Sequence, residues 1–80
     1  MYQIDPYSLR IIRTVVNLTQ KQLADLAGVS RAYISYLELG ERPMIPTIQK
    51  RLQDVLGWNT PETQAIIAAV EAWRQPHEDI

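Results

Sequence analysis

The sequence predicts an all-α protein that folds as one compact bundle of five short helices. Residues that begin or end helices recur at intervals of about one helix length: Pro6, Asn17, Gly28, Gly40, Gly57, Pro61 and Pro76. Between them, apolar residues follow the helical period, and the alternation that marks a strand is nearly absent. A chain of 80 residues has room for one modest core. We therefore expect residues 1–76 to form one domain and residues 77–80 a tail.

The first helix is expected over residues 6–16, with a marked start and a marked end. Asp5 can accept a hydrogen bond from the first turn, and Pro6 suits the first helical position because it has no N–H to leave unpaired. Asn17 should end the helix, because asparagine tolerates the left-handed backbone that often follows a helix. The inward face is expected to comprise Leu9, Ile12 and Val16.

Two further helices, over residues 20–27 and 31–39, are separated only by Gly28, Val29 and Ser30. So short a connection predicts two helices that cross steeply, with Gly28 at the corner and Val29 in the core beneath it. The expected N-caps are Thr19 and Ser30, and Gly40 ends the second helix. The expected apolar contributors are Leu23, Leu26, Ala27, Ala32, Ile34 and Leu37, with Tyr33 favoured as a core residue and Tyr36 left open.

The last two helices are expected over residues 46–56 and about 61–74. Their boundary residues are Pro46 and Gly57 for the first, and Thr60 (as N-cap) and Pro61 for the second. A carboxylate in the first turn of the last helix, Glu62, suits the helix dipole. The expected inward residues are Ile48, Leu52, Val55 and Leu56, then Ile66, Ile67, Val70 and Trp73.

The most specific pattern in the chain runs from Thr19 to Arg42 and reads TQKQLADLAGVSRAYISYLELGER. A Thr-Gln pair opens its first helix, Leu-Ala follows one turn later, Gly-Val-Ser forms the turn, and Ile-Ser-x-x-Glu-x-Gly runs through its second helix. This combination resembles the helix-turn-helix of the lambda repressor and Cro-like family, and the likeness extends more weakly over residues 8–58. The resemblance implies a lambda repressor-like domain that binds double-stranded DNA.

The second helix of this motif offers a face suited to the major groove, where all four base pairs can be distinguished. Arg31 and Ala32 lie in its first turn, and Ser35 and Tyr36 lie one turn later on the same face, opposite its apolar residues. Arg31 can bind a guanine with two hydrogen bonds, and Ala32 can contact a thymine methyl group. Ser35 and Tyr36 can reach a base or a phosphate. These four residues are the predicted base-reading set.

The resemblance also implies a set of residues that position the DNA backbone. Gln20 would lie at the head of the first motif helix, close to a phosphate, where its amide can also brace a side chain of the second helix. The further phosphate candidates are Lys21, Ser30, Arg42 and Thr47. The departures from the family pattern are Asn17 in place of a common glycine, Ile45 in place of a Ser or Thr cap, and Glu41 in place of a basic residue.

Arg13 and Glu38 form a separate prediction. The resemblance implies that an arginine of the first helix pairs with the glutamate of the Glu-x-Gly sequence, and those positions hold Arg13 and Glu38. We interpret the pair as structural; the alternative is that Arg13 contacts DNA directly. If the pair is buried, removal of one partner should be strongly destabilising, because the other charge is left uncompensated in the interior.

The last helix carries more apolar surface than a single terminal helix needs. Apolar residues between 65 and 73 cover well over half of its circumference. One face is expected to pack on the first and fourth helices, and the remainder is expected to form a two-fold interface between copies of the chain. The candidate homodimer residues are Trp58, Ile66, Ile67, Val70 and Trp73; the alternative is that the two tryptophans only complete the core.

The charges are unevenly distributed, although the net charge is only −1. Residues 10–51 carry seven Lys and Arg against three Asp and Glu, and residues 52–80 carry one against five. The local net charges are therefore +4 and −4. A basic body with an acidic end is typical of a nucleic-acid-binding face that lies away from a second, unrelated face, although chance could also produce it.

Residue types needed for catalysis or metal binding are scarce. There is no cysteine, and the only histidine, His77, lies in the predicted tail. The chain has no Ser-His-Asp set, no paired histidines and no glycine loop that could cradle a phosphate. We expect no enzyme activity, no metal, no cofactor and no membrane span. We also expect a cytoplasmic protein of prokaryotic, phage or mobile-element origin.

Two hypotheses for the function follow. The first is a sequence-specific, double-stranded DNA-binding transcriptional regulator, a repressor that binds a palindromic operator as a dimer. The alternative is a protein-interaction module, or an antitoxin-type regulator whose surface on helices 4 and 5 binds a partner such as an antirepressor or a toxin. Steep salt dependence of DNA binding would distinguish the first hypothesis from a pure docking module.

Overall fold

Five α-helices make up the described part of the chain, which is residues 4–73 of this computed structural model. They are α1 (Pro6–Val15), α2 (Gln20–Ala27), α3 (Arg31–Leu39), α4 (Pro46–Leu56) and α5 (Pro61–Trp73). Residues 4–73 contain no strand, so the predicted all-α class is confirmed. Each predicted helix is present, with bounds that differ from the prediction by at most one residue; the predicted end of the last helix, near residue 74, lies outside the described residues. The predicted tail over residues 77–80 lies outside the described residues.

Side-chain N-caps explain why the helices begin where they do. The predicted caps Asp5, Thr19, Ser30 and Thr60 each accept a hydrogen bond from a backbone N–H three residues later. At α2 the Gln22 side chain also accepts from the Thr19 N–H at 2.9 Å, which completes a capping box. The N-cap of α4 is Ile45, which provides no such bond. The first-turn N–H groups of α4 therefore lack a side-chain acceptor of their own.

The corner between α2 and α3 depends on Gly28. Its φ of 74° lies in the left-handed region, which costs glycine little, and Val29 then packs against the core as predicted. The Arg51 Nη1 atom of α4 donates to the Ala27 carbonyl at 3.5 Å, so α4 also contacts this corner. Asn17 adopts a φ of 64°, as expected of the residue that ends α1. Both turns therefore follow from local residue choice.

The core lies where α1, α2, α3 and α4 meet. It contains the predicted Leu9, Ile12, Leu23, Ala27, Ile34, Leu37, Ile48, Leu52 and Leu56, together with Ala24. Tyr33 packs against it and is half-buried, as favoured. Trp58 is only 2% exposed, so it is a core residue of the single chain and is unavailable to a dimer interface. This corrects the candidate dimer set and supports, for Trp58, the alternative that it serves the core.

Several apolar residues predicted to contribute to the core lie on the surface. Val16 is 42% exposed because it caps α1 and no longer follows the helical stripe. Leu26 is 61% exposed because the buried residues of α2 are Leu23, Ala24 and Ala27, a stripe rotated away from Leu26. Ala32 is also exposed and therefore lies on the outer face of α3.

A contact near the N-terminus was missed by the sequence analysis. Ile4 is buried, and its N–H donates to Oε1 of the buried Gln49 of α4 at 2.9 Å. Neither residue belongs to an apolar stripe at helical spacing, so periodicity gave no sign of the contact. The bond fastens the segment before α1 to α4, 45 residues further along the chain.

Helix α5 packs against α1, as predicted, and covers one side of the core, whereas the predicted packing on α4 is not among the main contacts between helices of residues 4–73. Ile66 and Ile67 contact the core, Val70 is half-buried, and Thr63 is the buried residue of the helix. The predicted inward position of Trp73 is wrong, since its side chain is 77% exposed. The outer face of α5 carries further exposed apolar residues: Ala65, Ala68, Ala69 and Ala72.

Arg13 and Glu38 join α1 to α3 through a largely buried ion pair. Arg13 Nε donates to Glu38 Oε2 at 2.6 Å, and Arg13 Nη2 donates to Oε1 at 3.2 Å. The exposed fractions of the two side chains are 14% and 4%. Arg13 Nη1 also donates to the Leu18 carbonyl at 2.7 Å, so the same guanidinium fixes the loop between α1 and α2. This geometry is that of a structural pair.

Replacement of Arg13 by Met is expected to lower the free energy of unfolding by about 3–5 kcal/mol, because the buried Glu38 carboxylate loses its counterion. Urea unfolding followed by circular dichroism measures the change. The matched control is Lys50→Ala, which breaks the exposed Lys50–Asp54 pair at 3.7 Å and should cost less than about 1 kcal/mol. An Arg13→Met protein as stable as Lys50→Ala would contradict the prediction.

Candidate DNA-binding interface

The outer face of α3 presents the four residues predicted to read bases. Arg31, Ala32 and Tyr36 are exposed and Ser35 is half-buried, so the structure brings the set together on one side of the helix. The opposite side carries Ile34 and Leu37, which are buried. This division follows from the helical period, because core contacts on one side force the intervening residues outward. Their reading of bases stays a prediction.

Gln20 connects this outer face to the buried ion pair. Its Nε2 atom donates to Glu38 Oε1 at 3.0 Å, and its Oε1 atom accepts from Arg31 Nη1 at 3.4 Å. The first residue of α2 therefore braces the first residue of α3, as the resemblance implied. We call the connected set Arg13, Glu38, Gln20 and Arg31 the polar relay. It runs from the buried Arg13–Glu38 pair, through Gln20, to the exposed guanidinium of Arg31.

Tyr36 and Arg42 form a second unit on the same side of the protein. The Arg42 guanidinium carbon lies 5.0 Å from the centre of the Tyr36 ring, a cation–π contact. Tyr36 is a predicted base reader and Arg42 a predicted phosphate ligand, and their contact is additional to both predictions. The pair holds the cation of the loop after α3 against the outer face of that helix. Tyr36 is therefore a support for a charge as well as an exposed ring.

The remaining candidates for contact with DNA phosphates lie at or near helix N-termini. Lys21 is in the first turn of α2, and its Nζ lies 3.3 Å from Asp25 in an exposed pair that can readily open. The Ser30 hydroxyl oxygen accepts from the Tyr33 N–H at 3.1 Å, which leaves the hydroxyl proton available as a donor. Thr47 is exposed in the first turn of α4. Helix N-termini favour anions because their N–H groups and dipoles point outward.

A shallow groove beside α3 contains a residue that the sequence analysis missed. It measures about 270 Å³ and is lined by Arg10, Arg13, Gln20, Ser35, Glu38 and Leu39. Arg10 is exposed at its edge, whereas Arg13, one turn later, is committed to Glu38. The signal was present in the sequence, because residues three apart share one side of a helix. Arg10 therefore adds a cation to the interface side.

Other kinds of site are not evident among the described residues. Within residues 4–73, no group of three or more His, Cys, Asp or Glu is placed to hold a metal ion. None of the helices over that range is long and apolar enough to cross a membrane. The single histidine, His77, lies outside the described residues.

Comparison with known proteins agrees with this geometry. The model of a family described as helix-turn-helix matches residues 9–57, which is more than half of the chain and includes α1 to α4 apart from the first three residues of α1. The searches of curated proteins and of solved structures found no match. Helix α5 lies outside the matched region. The chain belongs to the lambda repressor-like helix-turn-helix family, a family of DNA-binding transcription regulators.

Proposed function

We propose that the protein is a repressor that binds a palindromic DNA operator as a homodimer, with α3 in the major groove. The observation that carries this proposal is the outer face of α3. It is exposed, it lacks large aliphatic side chains over residues 31–36, and it begins with an arginine braced by Gln20. A helix with such a face can approach base edges closely.

Arg31 is the residue we assign to guanine recognition. Its guanidinium can donate two parallel hydrogen bonds to the O6 and N7 atoms of guanine. Ala32 adds little bulk next to it and allows close approach or contact with a thymine methyl group. Ser35 and the Tyr36–Arg42 unit lie one turn further along and contact the neighbouring base or the phosphate beside it.

The DNA backbone is held at several points around α3. Gln20, Lys21, Ser30 and Thr47 lie near the N-termini of α2, α3 and α4, where donors and helix dipoles favour a phosphate. Arg10 and Arg42 add positive charge on this side. Such contacts fix the register of the recognition helix but carry no sequence information themselves.

The dimer that we propose uses the outer face of α5. An apolar surface that covers well over half of a helix is normally covered by other elements, yet α5 exposes Trp73 and four alanines. Alanines allow two helices to approach closely, and Trp73 supplies a large apolar anchor. One recognition helix reads only a few base pairs, so a second copy about 34 Å away along the DNA supplies the rest of the site.

Selection of bound duplexes from a random pool is the experiment that tests the function. We expect a palindromic consensus, with affinity that falls steeply as salt concentration rises because phosphate contacts release counterions. The affinity should be measured at several salt concentrations, both for the selected operator and for an unrelated duplex. A protein that enriches no sequence, and instead captures a partner protein through α4 and α5, would favour the protein-interaction alternative.

Arg31→Ala and Lys21→Ala are expected to have different effects on binding. Arg31→Ala should remove about 1–3 kcal/mol of discrimination at one base pair in each half-site, because only a base contact is lost. Lys21→Ala should weaken binding to all sequences and reduce the magnitude of the salt slope by about 1 per phosphate contact. Competition binding with single-base-pair operator variants measures both. Equal behaviour of the two variants would contradict the assigned roles.

Ala69→Glu is expected to convert the dimer to a monomer, because it places a charge on the outer face of α5. Sedimentation equilibrium would show the mass of one chain, and affinity for the palindrome should fall at least about tenfold while half-site affinity is retained. The matched control is Val15→Glu, which introduces the same charge at an exposed apolar residue of α1. If only Val15→Glu dissociates the dimer, the interface lies on α1 instead.

A further inference from the structure

The polar relay gives the buried Glu38 a role beyond its ion pair. We infer that Glu38 determines the base preference of the protein by fixing the orientation of the Gln20 amide, and that it does so without touching DNA. Its side chain is only 4% exposed. The inference rests on the proposed function, in which Arg31 reads a base. Glu38 is a positioning residue in this scheme.

The first step is the set of hydrogen bonds that converge on Glu38. Oε2 accepts from Arg13 Nε at 2.6 Å, and Oε1 accepts from Arg13 Nη2 at 3.2 Å and from Gln20 Nε2 at 3.0 Å. An ionised carboxylate can only accept hydrogen bonds. Gln20 can therefore satisfy it only with its NH2 group, and the two possible orientations of the amide are not equivalent here.

The second step is the atom that Gln20 presents to α3. With its NH2 group on Glu38, its carbonyl Oε1 faces Arg31 Nη1 at 3.4 Å. A guanidinium can only donate, so this orientation pairs a donor with an acceptor at both ends. The reversed amide would set NH2 against guanidinium and carbonyl against carboxylate, which is unfavourable at both ends. The charge of Glu38 thus decides which atom Arg31 meets.

The third step links that orientation to specificity. An exposed arginine samples many rotamers, and ordering them on binding costs affinity. A bond to Gln20 limits the directions that Arg31 samples and favours the one that meets the matching base. Without the bond to Gln20, Arg31 can contact a phosphate or a neighbouring base instead, and such contacts stabilise complexes with all sequences alike. Loss of the brace therefore reduces discrimination more than it reduces affinity for DNA in general.

Glu38→Gln in the 80-residue chain tests the inference. The new amide oxygen would accept from Arg13 Nε, and the new NH2 group, in the place of Oε1, would face both Gln20 and Arg13 Nη2. Gln20 would then turn its carbonyl toward that NH2 group and its own NH2 group toward Arg31. We expect discrimination at the base pair read by Arg31 to fall about tenfold. Affinity for an unrelated duplex should change by less than about twofold. Competition binding with single-base-pair operator variants gives both quantities, once circular dichroism has shown that the variant is folded.

Further variants separate positioning from stability. If Glu38→Gln does not fold, the double variant Arg13→Gln, Glu38→Gln replaces it. The double variant removes both charges, so neither is left unpaired in the interior, and it should lose discrimination at the same base pair. Leu56→Ala destabilises the core at the end of α4 and should leave base preference unchanged. In an Arg31→Ala background, Glu38→Gln should change base preference no further, because the residue through which it acts is gone.

The outcomes distinguish this inference from the function on which it rests. Wild-type base preference in either Glu38 variant, or an equal loss of affinity for every duplex, would overturn the positioning role and leave the proposed function intact. Failure of the wild-type protein to select any sequence would end the proposed function and the inference together. Relaxed preference confined to the base pair that Arg31→Ala also affects supports the inference.

Discussion

The set of hydrogen bonds to the buried Glu38 carboxylate is the interaction on which the presentation of α3 depends. Removal of a charge from water is costly, and the cost is offset here by three hydrogen bonds, two from the Arg13 guanidinium and one from the Gln20 amide. Those bonds come from α1 and α2 and meet on α3, and Arg13 reaches the loop between α1 and α2 as well. One side chain thereby links three helices. The outer face of α3 is presented at an angle that this network helps to define.

Much of the fold could be predicted because its determinants are local. Asp5, Thr19 and Ser30 mark helix starts through bonds that span three residues, and Gly28 supports a backbone conformation that other residues rarely adopt. The inward faces were harder to predict. Periodicity gives the direction of an apolar stripe only to within about one residue, or ~100° of rotation. The neighbouring helix decides which flank is covered, and Leu26 lies on the uncovered one.

The candidate interface likewise has one part that could be predicted from the sequence and one part that could not. Exposure of Arg31, Ala32 and Tyr36 follows from the helical phase once Ile34 and Leu37 are inside, so the sequence was sufficient to find them. Contacts between elements were not accessible to it without the family resemblance. The Tyr36–Arg42 contact depends on the path of a loop, and neither the burial of Trp58 nor the exposure of Trp73 follows from the helical period. Two tryptophans of equal hydrophobicity cannot be told apart by composition.

The charge balance of the chain makes preorganisation necessary for the function we propose. A net charge of −1 gives little of the long-range attraction that brings strongly basic proteins to DNA. Several of the phosphate contacts that we propose come from uncharged side chains, so we expect specific binding to depend on well-ordered base contacts as well as on charge. An arginine held in place before binding loses less entropy on the operator, and a second recognition helix fixed by a dimer interface adds contacts at little further entropic cost. In the function that we propose, the polar relay and the apolar face of α5 therefore serve the same requirement: each would order part of the complex before DNA binds, so that a weakly charged domain could discriminate one site from many.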